Sequence, residues 1–86
     1  MEREIELRAC CGKLRWALLD AIEPLPDGTK VNALRWGPTL VPLDVETAPD
    51  GAPAVVDAII RRTERWLGAK STCLSGRGVL VVSAEQ

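Results

Sequence analysis

The residues best suited to nucleophilic or soft-ligand chemistry in this chain are its three cysteines, and it has no histidine to assist them. Cys10 and Cys11 are adjacent, while Cys73 lies far along the sequence. Three thiolates can hold a soft metal ion. Neighbouring residues on a strand point to opposite faces, however, so Cys10 and Cys11 reach one ion only if a bulge or turn intervenes, and no CxxC spacing is present. The plainer expectation makes Cys11 a small core residue and Cys10 a surface one. Thiol catalysis is disfavoured, because a reactive thiolate needs a cationic or helix-terminal setting and usually a base to take its proton. Lack of His removes the usual general base and the commonest metal ligand. The chain is therefore read as non-enzymatic, with no catalytic residue, metal or cofactor expected.

A second group of residues has the chemistry of binding. Arg61, Arg62 and Arg65 fall near the end of a predicted helix, Lys70 and Arg77 follow, and Glu64 is the only acid among them. Arg62 and Trp66 are four apart and share a helical face. Arginine suits bidentate contact with carboxylate or phosphate. Arg61, Arg62, Arg65, Trp66, Lys70 and Arg77 are thus the candidate partner-binding residues, for an acidic protein or a nucleic-acid backbone. Asp44, Glu46, Asp50 and Asp57 form the opposite field upstream. Local helix physics offers a competing account, since cations complement the C-terminal end of the helix dipole and acids the N-terminal end.

Other motifs carry less. Ser75-Gly76-Arg77-Gly78 has glycines that could let backbone amides converge on an anion, but it precedes a strand and not a helix, so a hairpin turn or loop is expected. Trp16, Trp36 and Trp66 are the only aromatic residues. Each lies off the clearest apolar stripe of its element, so each either completes a core edge or marks an interface. The paired sheet aromatics of an RNA-binding plait are absent.

These residues need elements to position them. A chain of 86 residues has room for one domain and one core, here treated as 1–86 with a frayed tail at 83–86. A formal net charge of −1 disfavours bulk electrostatic coating of nucleic acid or membrane. No apolar run is long enough to span a bilayer, the charged start does not resemble a secretory leader, and the odd, partly adjacent cysteines do not suit a secreted framework. Cytoplasmic localisation is expected.

Apolar and charged residues alternate from Glu4 to Cys11, as in a strand with one wet face. Leu14, Leu18, Ala21, Ile22 and Leu25 then recur at helical spacing until Pro24 and Pro26 end the run. Pro26-Asp27-Gly28 is turn chemistry leading into a strand over Lys30 to Trp36. After Gly37-Pro38, Val41, Leu43 and Val45 alternate with polar residues and Pro42. Asp50 or Gly51 is expected to cap a second helix with Pro53 in its first turn, a buried stripe of Val56, Ile59, Ile60, Thr63 and Leu67, and Gly68 as its stop. Lys70 to Leu74 reads as a short strand or a loop before a final strand.

This order, βαββαβ, implies an α+β domain of the ferredoxin-like plait type, a four-stranded antiparallel sheet with two helices on one face. That plait puts its third strand in the sheet interior, where Pro42 is awkward. An alternative is a duplicated αββ unit, from weak matches at an offset of 40 such as Gly28 with Gly68 and Leu40 with Leu80. The expected function is binding: an adaptor, regulator or inhibitor of a protein partner, or a homo-oligomer, using the basic Trp-bearing helix end or the open sheet face. Nucleic-acid binding through the basic cluster at 61–77, and a thiol or soft-metal site, are the alternatives.

Overall fold

The computed structural model describes residues 1–48 and 51–83. Strand β1 (Glu2–Ala9) turns into helix α1 (Leu14–Ile22), which is followed by β2 (Lys30–Trp36) and β3 (Thr39–Glu46). Helix α2 (Ala52–Leu67), a single 3-10 turn at Ser71–Cys73 and β4 (Gly76–Ser83) complete the chain. The strands form one antiparallel sheet in the order β1-β4-β2-β3. Both helices pack on the same face of it and against each other. The expected βαββαβ order and α+β class are what the chain adopts. Each βαβ crossover spans one strand, β4 between β1 and β2, and β2 between β3 and β4.

The third strand is not interior, as the plait expectation had it; β3 is an edge, and β2 and β4 fill the middle. Proline explains the difference, since Pro42 has no amide hydrogen to give a ladder and an edge is where a sheet tolerates it. Asp44 adopts a positive φ of 50°, and the β2–β3 register shifts between Val31 and Ala33. The register of β2 against β4 shifts at the same place, so Asn32 is an extra residue. This bulge lets Val31 and Leu34, three apart, both face the helices, and Asn32 donates a hydrogen bond to Ser83.

The core forms where the inner face of the sheet meets the helix stripes. Leu14, Leu18 and Ile22 of α1 and Val56, Ile59 and Ile60 of α2 are buried against Leu7, Leu34, Leu43 and Leu80. Burial of each such side chain is worth about 1.5–3 kcal/mol against leaving it exposed. Thr63 completes the α2 stripe, and its hydroxyl donates to the Ile59 carbonyl at 2.8 Å, which satisfies it inside the helix. The helix begins at the Gly51 cap; the alternative cap, Asp50, lies outside the described residues. It ends at Gly68 in the left-handed conformation, with the Gly68 amide bonded to the Glu64 carbonyl.

Several expectations about boundaries change. The first helix stops at Ile22, and Leu25 beyond it is still buried. The first strand ends at Ala9, so Cys10 and Cys11 belong to a turn and Cys11 is exposed, not in the core. Cys11 (φ 59°) and Gly12 (φ 76°) reverse the chain there, and a side chain on Gly12 would collide with the Thr72 carbonyl. The segment Lys70 to Leu74 is the 3-10 turn and not a strand, which removes the second hairpin that duplicated αββ units would need. Gly76 to Gly78 are strand residues rather than a hairpin turn or loop, and Ser83 is paired in β4 rather than frayed, while residues 84–86 lie outside the described residues. Among the described residues no helix is long and apolar enough to cross a membrane.

Candidate binding site on the open sheet face

Alternation along the strands decides what the uncovered face presents. On β1, Leu7 and Ala9 point to the helices, so Glu4, Glu6 and Arg8 point away. The same alternation puts Arg77, Val79 and Val81 of β4, Ala33 and Arg35 of β2, and Leu40 and Pro42 of β3 on that face, in register across the sheet. Val79 lies between Glu6 and Arg35, and Val81 between Glu4 and Ala33. Leu40, 57% exposed, continues the apolar strip to the β3 edge.

A cleft of about 350 Å³ opens at one end of this face. Arg8, Arg35 and Arg77 line it, with Glu6 as its carboxylate and Val79 and Gly78 along the strand beneath. Arg8 and Arg77 are paired in the register, and like charges directly opposite each other destabilise a sheet. Among the described residues neither makes an ion pair. Arg35 reaches diagonally over β4 to Glu4, with N to O at 2.8 Å and both side chains about half exposed. The cleft therefore holds three guanidinium groups, one of them partly neutralised from outside, against one lining carboxylate. That arrangement can take an anionic group with fork geometry while an apolar body lies along Val79 and Val81.

Gly78 shapes the cleft from beneath. A Cβ built on it would come within 2.5 Å of the Trp36 ring and 2.9 Å of the Arg35 carbonyl. Trp36 is thus half-buried on the helix-covered side, laid across β4 at its narrowest residue. The open face carries no aromatic residue.

The candidate residues from the sequence separate into two places. Arg61, Arg62, Arg65 and Trp66 are exposed on the outer surface of α2, and Lys70 is exposed just beyond it. Arg77 is on the opposite side of the molecule, in the sheet cleft, with Arg8 and Arg35, which sequence reasoning did not single out. Their signal is register across three strands, which no single stretch contains. Two acids of the opposing field are engaged, Asp57 with Arg15 of α1 and Asp44 with Lys30 at 3.7 Å; Glu46 makes no ion pair among the described residues, and Asp50 lies outside them. On the α1 side, Glu64 accepts a hydrogen bond from the Ser71 amide at 2.8 Å, and this bond holds its carboxyl below the usual glutamate range. Trp16, 63% exposed, stands on the outward side of α1, so the exposed tryptophans are on different helices.

The cysteines are all free and exposed. The turn that ends β1 brings the sulfurs of Cys10 and Cys11 to 3.3 Å, and Cys10, by its hydrogen bond first and its charge second, pushes the Cys11 thiol above the ordinary cysteine value. Among the described residues no group of three or more Cys, Asp or Glu is placed to hold a metal ion, so the three cysteines do not converge.

Comparison with protein-family models, with curated proteins and with solved structures finds no match to this chain.

Proposed function

We propose that this chain is a non-enzymatic cytoplasmic interaction module, an adaptor, regulator or inhibitor, that takes an acidic segment of a protein partner on its open sheet face. The fold is read as a variant of the ferredoxin-like plait in which interior and edge strands have exchanged places. One observation carries the proposal: Arg8 and Arg77 face each other across β1 and β4, with Arg35 on the same cleft and no carboxylate paired to either of the first two among the described residues. A protein segment fits better than a polyanion, because Glu2, Glu4 and Glu6 run along β1 beside the cleft and repel a continuous phosphate backbone. The apolar strip of Val79, Val81 and Leu40 supplies contact area beside the charge.

The test is a tagged pulldown from lysate with and without nuclease, run on the native chain and on Arg77→Glu. A stoichiometric protein that survives nuclease and is lost from Arg77→Glu supports the reading. Capture unaffected by the substitution, or capture that collapses with nuclease, overturns it.

A second reading rests on α2. Arg61, Arg62, Arg65 and Lys70 are exposed, and among the described residues none makes an ion pair, a pattern that suits a nucleic-acid backbone. It requires association that weakens steeply with salt and is reduced in Arg62→Glu; a flat salt response removes it.

A further inference from the structure

We propose that β1 pairs antiparallel with β1 of a second copy of this chain, joining two four-stranded sheets into one. The pairing shares Glu6 and Arg8 with the arginine cleft and leaves Arg35 and Arg77 of the cleft outside it.

β1 is an edge strand, bonded to β4 alone among the described residues, so one side of its backbone has no partner strand there. Its register with β4 runs from Glu2 to Ala9 without a shift, and it contains no proline. An edge of this length that is straight and unobstructed is a template for strand addition. The other edge is not equivalent, because β3 is interrupted by Pro42 and by the positive φ of Asp44.

The helix layer leaves room along β1. Two shallow clefts of about 330 and 500 Å³ run between the strand and the C-terminal half of α1. Ala17 and Ala21 form the helix side, with Ile5 and Leu7 on the strand side and Leu25 at the far end. Asp20 lines both clefts and Arg3 the larger one, so an added strand would meet a mainly apolar floor with the Asp20 carboxylate on its helix side.

Charge on β1 selects the occupant and the register. The open-face positions are Glu2, Glu4, Glu6 and Arg8, and a strand pairing with its own copy must match open-face residues to open-face residues. Centred on Ile5, the pairing sets Glu4 against Glu6 twice and Glu2 against Arg8 twice; centred on Glu6, it sets Glu6 against itself and Glu4 against Arg8 twice. Centred on Leu7, it sets Glu6 against Arg8 twice, with no like pair, and stacks Leu7 on Leu7 and Ile5 on Ala9 on the covered face. Of these registers only the last is free of repulsion. It also gives Arg8 the carboxylate that its own chain withholds, since Arg8 then stands between Arg77 and Glu6 of the second copy. The two-fold axis runs perpendicular to the sheet, so all helices stay on one face and both clefts stay open on the other.

Sedimentation equilibrium over a range of protein concentrations tests this, with circular dichroism to confirm that each variant is folded. The native chain is expected to dimerise. Arg8→Glu replaces two attractive cross-strand pairs with two repulsive ones, leaves only Glu on the open face so that no register is attractive, and should weaken the dimer about tenfold or more. Mixing Arg8→Glu with Glu6→Arg restores attraction at both pairs, so the Arg8→Glu chain should enter a heterodimer although it does not dimerise alone, and the double variant should dimerise by itself. A native chain that stays monomeric at every concentration, an Arg8→Glu variant that dimerises as tightly as the native chain, or a mixture in which the Arg8→Glu chain stays monomeric would each overturn the proposal. Arg77→Glu lies outside the pairing, so it should remain dimeric even where it loses the partner of the cleft.

Discussion

Arg8 on β1 stands directly opposite Arg77 on β4, on the face of the sheet that no helix covers. The chain thus keeps two like charges at adjacent positions where either could be neutral at no cost to the core. Replacing Arg77 by Glu converts repulsion into attraction and should raise the stability of the free domain by about 0.2–1 kcal/mol in urea unfolding. If the pair serves binding, the same change abolishes partner capture. A variant that is more stable and less functional is the signature expected of a site maintained against local stability. Equal or lower stability in Arg77→Glu would show that the two guanidinium groups do not oppose each other.

Thr47 ties the end of β3 to the loop before β2. Its hydroxyl, buried with the residue, donates to the Pro26 carbonyl at 2.7 Å and accepts from the Thr29 amide at 3.0 Å. Thr47→Val keeps the shape and removes both bonds, while the Pro26 carbonyl keeps the Thr29 hydroxyl at 2.7 Å and the Thr29 amide at 3.2 Å, so it should lower unfolding free energy by about 0.5–1.5 kcal/mol. Thr47→Ser keeps the hydroxyl and should lose markedly less. Chemical denaturation of both variants measures the difference.

Glu64 links the last turns of α2 to the 3-10 turn through the Ser71 amide. Because that bond lowers its folded-state pKa, the stabilisation is present at neutral pH and is lost as the pH falls through the folded value. Glu64→Gln should therefore be less stable than the native chain near pH 7, and the two stabilities should converge as the pH falls below the ordinary glutamate range. Thermal melts across that range read the convergence; parallel curves would mean that Glu64 does not titrate with folding.

Cys10 holds the Cys11 thiol in its protonated form, by hydrogen bond and by charge. Thiolate is the reactive species, so removal of that neighbour raises the reactive fraction of Cys11 at a given pH. Cys10→Ala should speed alkylation of Cys11 at neutral pH, read by mass spectrometry against time. An unchanged or slower rate would show that Cys10 does not set the Cys11 proton affinity.

What could be read from the sequence was whatever local chemistry determines. The strand over Lys30–Trp36 and the Gly68 stop of α2 follow from turn residues, alternation and helix termination within a few positions. The buried stripe of α2 follows from its period, since Val56, Ile59, Ile60 and Thr63 are all buried. Pro42 carried the right objection to an interior third strand, although the objection alone did not say which strand would replace it. The cleft was not legible, because Arg8, Arg35 and Arg77 are distant in sequence and meet only through the register of β1, β4 and β2. The bulge at Asn32 also lies beyond pattern reading, as it arises from the different registers that β3 and β4 impose on one strand.

The inequality of the two sheet edges limits what lateral growth can do. A sheet with two equally receptive edges would add copies without end, and the product would be a fibre. Here one edge runs from Glu2 to Ala9 in unshifted register, while the other has lost a donor at Pro42 and its straightness at Asp44. Any edge-to-edge association must use the receptive edge of both participants, and it leaves only obstructed edges facing outward. The fold therefore carries its own stop, placed in β3 by one residue without an amide hydrogen and another with a left-handed backbone.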